Sequence, residues 1–223
     1  MAFYLYAIAP AGTKPGRLRG ISAEPLKALA VDGLVAIAGE VEALPAATVD
    51  ALQAQDLLIR ALAARMDALL PARFGTQERS AAALVARLEP HVEAFTRALV
   101  EVQGCEQMNL RLFVDAPARP KPLRRRSPRD GAGTRYLLRA QERLSPSLPE
   151  LDPLRAALGD LLHAERVKGS NQPPLRASVS HLIPRGSAVR YQALLAGLDR
   201  PEGTRWLATG PFPPYAFAPE ALS

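Results

Sequence analysis

Thr204-Arg205-Trp206-Leu207-Ala208-Thr209, followed at once by Gly210-Pro211-Phe212-Pro213-Pro214-Tyr215-Ala216-Phe217, is the stretch on which the reading of the chain turns. The first half has the apolar and β-branched content of a short strand. In the second half closely spaced prolines fix φ and remove backbone donors, which predicts a stiff extended arm and neither a helix nor a central strand. Phe212, Tyr215 and Phe217 give that arm a large apolar surface at small entropic cost, because its backbone freedom is already reduced in the unfolded chain. Such an arm closes a core or docks a partner. Alternation along it places Phe212 and Tyr215 on different sides, and Phe212, directly after the strand, is expected to be the buried one and Tyr215 the solvent-facing one.

Working back from the arm, Ser187 is expected to cap a helix carrying Tyr191, Leu194, Leu195 and Leu198. Leu175 to Ile183 alternates as a strand. Asp152-Pro153 supplies an N-cap and an N1 proline for a helix whose stripe is Leu154, Leu158, Leu161 and Leu162, closing near Lys168-Gly169. Arg135 to Leu144 reads as a further helix, and Met108 to Val114 as a half-buried strand. The order strand, helices, strand, helix, strand fits an α+β unit of modified ferredoxin-like type with one strand of that pattern not legible.

The N-terminal half begins with two short apolar runs bounded by turn residues, Phe3 to Ala9 and Gly33 to Gly39, both read as buried strands. Ser22 to Leu26 is read as a short helical turn. From Val49 the period changes: Leu52, Ile59, Leu62, Met66 and Leu69 recur at helical spacing up to Leu70-Pro71, where proline forces the preceding residue out of the α region. A second helix follows, with Ala81, Val85, Leu88, Val92, Phe95, Leu99 and Val102 alternating four and three apart, interrupted near Pro90 and closed at Gly104. These readings give α+β fold class and two domains. Residues 1–104 form an N-terminal α+β domain with a long helix pair, and residues 105–223 a C-terminal ferredoxin-like domain with a basic loop at 117–135.

Three passages resemble one family, the gas vesicle accessory proteins of the F/L type. Thr209 to Phe217 matches the family ending Thr-Gly-Pro-Trp-Pro-Pro-Tyr-Ser-Phe at seven of nine positions, with Phe212 in place of Trp and Ala216 in place of Ser. Leu70 to Thr76 reproduces the family's Leu-Pro-x-Arg-Phe-Gly-Thr between the helices, and Gly104-Cys105-Glu106-Gln107 resembles its Gly-x-x-Glu turn into a strand, with Gln107 in place of Glu. The N-terminal Tyr-Leu-Tyr-Ala-Ile strand adds a fourth match. In the first helix, where family members often carry a histidine, this chain has Gln55 and Asp56. The resemblance implies a minor component or assembly factor needed to build a gas vesicle, located at the vesicle in the cytoplasm, with the shell protein and other accessory proteins as partners. A growing shell of amphipathic subunits exposes apolar faces and strand edges that aggregate unless covered, which gives such a protein its physical task.

The composition agrees with a globular protein, with 48% hydrophobic and 22% charged residues, and no run approaches the length of a membrane span. The single cysteine, Cys105, fits a reducing compartment. Between Pro117 and Arg135 seven cations stand against Asp130 alone, a local net charge of +6 that equals the whole chain's +6. The excess charge therefore sits in one Pro- and Gly-rich segment, around Arg124, Arg125 and Arg126. It is read as a solvated loop or partner contact, with a nucleic-acid or acidic-surface binding module as the alternative. His91, His163 and His181 fall on separate elements and no cysteine has ligand spacing, so neither metal, cofactor nor catalytic centre is expected. The residues expected to meet partners are Arg73, Phe74, Phe212, Tyr215, Phe217 and the three arginines 124–126.

Overall fold

The computed structural model describes residues 1–114 and 148–222. The basic loop, its arginines 124–126 and the expected helix from Arg135 to Leu144 lie outside the described residues. The chain divides into two compact units, Met1–Gln107 with Phe212–Ser223, and Met108–Pro211. The aromatic arm, expected with the second domain, thus belongs to the first unit.

The first unit is built on a sheet of order β2-β3-β1-β4, with β5 also pairing β1. Its strands are β1 (Ala2–Pro10), β2 (Leu26–Val31), β3 (Leu34–Val41), β4 (Leu70–Pro71) and β5 (Gln77–Glu78). β1 is central and buried from Tyr4 through Ala9, as its unbroken apolar run requires. Its antiparallel register with β3 shifts between Leu5 and Ala7, leaving Tyr6 as the extra residue. The bulge inverts the alternation, so Tyr4 and Tyr6 share a core cluster with Ala7 and Ala9. β2 is a strand that was not read from the sequence: the helical turn expected over Ser22 to Leu26 is instead a non-helical turn, and Leu26–Val31 after it pairs with β3 through a tight turn at Asp32-Gly33, both at positive φ.

Helix α1 (Val49–Ala63) starts at Thr48, whose side chain accepts from the Ala51 amide, and buries Gln55, Leu58, Ile59 and Leu62. It stops about two turns short of the expectation, at Ala63. Met66 and Leu69 are buried and keep the apolar spacing, but Leu70–Pro71 pairs with β1, and the Ala72 amide donates to the Tyr6 carbonyl at 2.8 Å. Sheet pairing there wins over helix propagation. The second helical region is interrupted at Pro90: α2 (Ala81–Leu88) passes through a 3₁₀ turn, Glu89–His91, into α3 (Val92–Val102). Gly104, at φ +67, ends it with its amide on the Asp67 carbonyl at 2.8 Å.

The second unit has the sheet order β7-β8-β6-β9, with β6 (Cys105–Val114), β7 (Ala164–Gly169), β8 (Leu175–Pro184) and β9 (Thr204–Phe212). With α4 (Asp152–Leu158) between β6 and β7 and α5 (Ala188–Gly197) between β8 and β9, the described residues follow the ferredoxin-like β-α-β-β-α-β order. β7 is the strand that was not legible. The leucine stripe was expected to continue helically to Lys168, but Gly159, at φ +45, ends α4, and a 3₁₀ turn carrying Leu161 leads into β7. Ser187 precedes α5 as expected, without a side-chain cap bond. The core combines Met108, Leu110 and Leu112 of β6 with Leu154, Leu158, Val179, Tyr191 and Trp206. β9 lies at the sheet edge and runs through Pro211 to Phe212, beyond the expected end at Thr209; an edge strand tolerates a residue without an amide donor.

Candidate functional site

The residues singled out in the sequence converge on one side of α1 in the first unit. Gln55, 4% exposed, is the hub. Its Oε1 accepts from the Tyr4 hydroxyl at 2.6 Å and its Nε2 donates to the Ala72 carbonyl at 3.2 Å. Tyr4 Oη in turn accepts from the Gly75 amide at 2.8 Å, and its ring meets the half-buried Phe74 edge-on at 6.0 Å between centroids. Gly75, at φ +91, supplies the backbone conformation this turn needs. The Leu70–Thr76 stretch is therefore held by side chains of β1 and α1.

One helical position on, Asp56 takes Arg60 Nε at 2.6 Å and the Tyr215 hydroxyl at 3.3 Å. Burial, and then the Asp56 carboxylate, push the Tyr215 phenol above its ordinary range. The Arg60 guanidinium lies over the Phe212 ring, 5.0 Å from its centroid. After the prolines the arm is not extended: Tyr215–Phe217 forms a 3₁₀ turn, with the Ala216 amide on Gln107 Oε1 at 2.8 Å. The chain end closes on the same turn. The Arg73 amide donates to the Leu222 carbonyl at 2.9 Å and Thr76 Oγ1 donates to it at 3.2 Å.

This geometry corrects the expected division of labour within the arm. Phe212 is only half-buried and Tyr215 is half-buried with its hydroxyl engaged, whereas Phe217, 4% exposed, is the residue that fills the core. The 3₁₀ turn is the cause, since it breaks the strict alternation of an extended segment and turns Phe217 inward. Arg73 exposes its side chain and contributes its backbone. Arg73, Phe74, Phe212, Tyr215 and Phe217 are thus brought together, with Gln55 and Asp56 as the connecting residues that sequence reasoning left without a role. A polar pair directly beside the buried Leu58 and Ile59 was the available signal.

Opposite the buried stripe, α1 carries a second apolar one. Val49, Leu52 and Leu57 are 69%, 46% and 67% exposed, and with Gln53 and Asp56 they line a shallow groove of about 410 Å³. These five positions, i, i+3, i+4, i+7 and i+8, share one face of the helix, and its apolar members are those at i, i+3 and i+8. Leu44, on the approach to α1, is also exposed.

A different arrangement occupies the second unit. His181 is fully buried on β8, with Nδ1 at 2.8 Å from the Tyr191 hydroxyl on α5 and Nε2 at 3.0 Å from Glu165 on β7. Glu165 also binds Arg155 of α4 at 2.8 Å. The His181 bond first, and then Arg155, lower the Glu165 carboxyl to about 2, while burial raises the Tyr191 phenol. Tyr–His–Glu chains resemble catalytic relays, but Tyr191 and His181 are both 0% exposed. The four side chains tie α4, β7, β8 and α5 together. His91 and His163 are exposed on other elements, and among the described residues no group of three His, Cys, Asp or Glu side chains could hold a metal ion.

The family model described as gas vesicle synthesis protein GvpL/GvpF matches residues 2–219. The chain belongs to this family. It is 28% identical over 238 residues to gas vesicle protein L1 of Halobacterium salinarum, an alignment covering 90% of this chain and 83% of that one. Its fold is similar to the crystal structure of gas vesicle protein GvpF from Microcystis aeruginosa, with TM-score 0.69 at 16% identity over 98% of this chain and 99% of that one. GvpF from Anabaena sp. PCC7120 gives TM-score 0.71 at 18% identity, over 98% and 96% of the two chains. The chain is therefore a gas vesicle protein of the GvpL/GvpF family with that family's mixed helix and sheet fold. Among its described residues no helix is long and apolar enough to cross a membrane.

Proposed function

We propose that the chain is a non-enzymatic accessory protein of gas vesicle formation. It acts in the cytoplasm and at the vesicle by binding the shell protein or other accessory proteins through apolar surface. The carrying observation is the second stripe of α1, in which Val49, Leu52 and Leu57 stand open on a helix already anchored by its other side. Contiguous exposed apolar surface of this kind marks a protein contact. The docked arm fixes that helix in place: Asp56 lies in the groove and is held by Arg60 and Tyr215. The arm's aromatics support the binding face from within and are not themselves the anchors.

The test is co-purification of the tagged full chain with the co-expressed shell protein, washed at about 0.5 M salt, where exposed charge attractions are screened and apolar ones persist. Retention is expected, with loss in a Leu52→Lys, Leu57→Lys double variant of unchanged melting temperature. Release of the wild-type complex by the salt wash would show an electrostatic contact instead.

A further inference from the structure

A second surface of the first unit has a defined polarity, and its interpretation rests on the reading that the chain binds other gas vesicle proteins. A cleft of about 600 Å³ opens between the loop after β1, the start of β3 and α3. Its floor is apolar, formed by Leu34, Met66 and Leu99, each at least nine-tenths buried. One wall is a face of α3 and its C-cap: Thr96, Leu99 and Val100 of the helix, then Gln103 just past its end, at i, i+3, i+4 and i+7. The core is served by the other stripe of this helix, Phe95, Ala98 and Val102, so Val100 has no packing duty and stands 68% exposed.

The facing wall is basic. Lys14 and Arg65 line it, and neither is ion-paired among the described residues. Arg65 Nη1 lies against Gly16, 3.4 Å from where a Cβ would stand, and that glycine sits at φ +68. Asp67 is the carboxylate in the lining, so the cleft carries two cations against one anion. No strand edge is on offer, because Leu34 is already paired with both Pro10 of β1 and Val31 of β2. A partner cannot add a strand here. What fits a ridge at i, i+3, i+4, i+7 above an apolar floor is another helix. The unpaired cations on the far rim require that helix to carry acidic residues along one edge.

We infer that this cleft docks an amphipathic helix of a second gas vesicle protein, with its apolar face on Leu99 and Val100 and a carboxylate against Lys14 and Arg65. The experiment places the photo-crosslinking residue p-benzoylphenylalanine at position 100 or, separately, at position 57. The full-length chain is expressed with the gas vesicle gene cluster it comes from, and adducts are sequenced by mass spectrometry. The expected adduct at position 100 joins a segment of another gas vesicle protein with helically spaced apolar residues and Asp or Glu beside them. It should fall at least tenfold in the Lys14→Glu, Arg65→Glu variant and persist in Lys14→Arg, Arg65→Lys. Lys14 and Arg65 are both exposed, so the variants keep the fold.

An adduct to a second copy of this chain, or one unaffected by charge reversal, overturns the inference. An adduct at position 57 with none at position 100 overturns the cleft and leaves the proposed function standing. Absence at both positions overturns the two together.

Discussion

Phe217→Ala is the sharpest test of how the C-terminal arm is used. Phe217 is 4% exposed and follows Tyr215 and Ala216 in the turn that docks on Asp56 and Gln107. Truncating a buried Phe removes roughly 150 Å² or more of apolar contact, worth ~4 kcal/mol at ~25 cal/mol per Å². Measured core truncations of this kind fall at about 3–5 kcal/mol. A loss of ~3 kcal/mol in a unit this size lowers the melting temperature by roughly 10–15 °C. Phe212→Ala is the internal comparison. Its ring is half-buried under the Arg60 guanidinium, and such a contact is worth about 1 kcal/mol at a partly open site, a shift of a few degrees. Calorimetry and guanidinium titration of both variants provide the measurement. A Phe212→Ala loss larger than that of Phe217→Ala would refute the assignment of the buried anchor and with it the 3₁₀ geometry of the arm.

Three further outcomes follow from the described geometry. Gln55→Leu should cost about 2 kcal/mol in chemical denaturation, because it takes the acceptor from the Tyr4 hydroxyl proton, leaving that oxygen only the Gly75 amide, and removes the side-chain donor from the Ala72 carbonyl. Gly39→Ala should lower the melting temperature. An added Cβ would come within 2.5 Å of the Glu24 carboxylate, and Glu24 cannot withdraw because it is held by the Tyr6 hydroxyl and, at 2.9 Å, by the Ser22 amide. Glu165 should make the second unit acid-sensitive: its folded pKa, about 2, lies below the unfolded value, so its stabilisation is complete above the unfolded pKa and is lost as pH falls toward about 2. The difference in stability between wild type and Glu165→Gln should be about 1–2 kcal/mol at pH 7, allowing for solvent screening, and should shrink steadily below pH ~4.5. A difference independent of pH would show that the carboxylate charge is not what ties α4 to β7 and β8.

Strong periodicity and backbone chemistry were legible in the sequence. β1, β3, β6 and β8 announced themselves by apolar runs or alternation, and Pro90 and Gly104 marked the break and the end of the second helical region. β2 was missed because Leu26-Lys27-Ala28-Leu29-Ala30-Val31 is rich in alanine and leucine, which carry little strand signal, and the decisive Asp32-Gly33 turn is its only local marker. β7 was missed for the opposite reason. As an edge strand with Glu165, Arg166 and Lys168 it resembles a solvated helix end, and only the positive φ of Gly159 breaks the leucine stripe before it. The candidate surface was legible in its members and not in their roles. Composition identified the arm's aromatics, but which of them packs inward depends on a 3₁₀ turn seated on α1, a tertiary contact that no local pattern encodes. The exposed stripe of α1 was hidden for a related reason: Leu52 was counted with the buried stripe, and only the seating of the helix shows that Leu52 faces out with Val49 and Leu57.

The proposed requirement for this GvpL/GvpF chain in gas vesicle formation is tested by counting vesicles by electron microscopy in cells carrying its gas vesicle gene cluster with and without this gene. Removal should abolish vesicles or leave only small, incomplete ones, and the wild-type gene supplied separately should restore them, whereas the Leu52→Lys, Leu57→Lys variant should not. Vesicles of normal number and size in the absence of the gene would contradict that requirement.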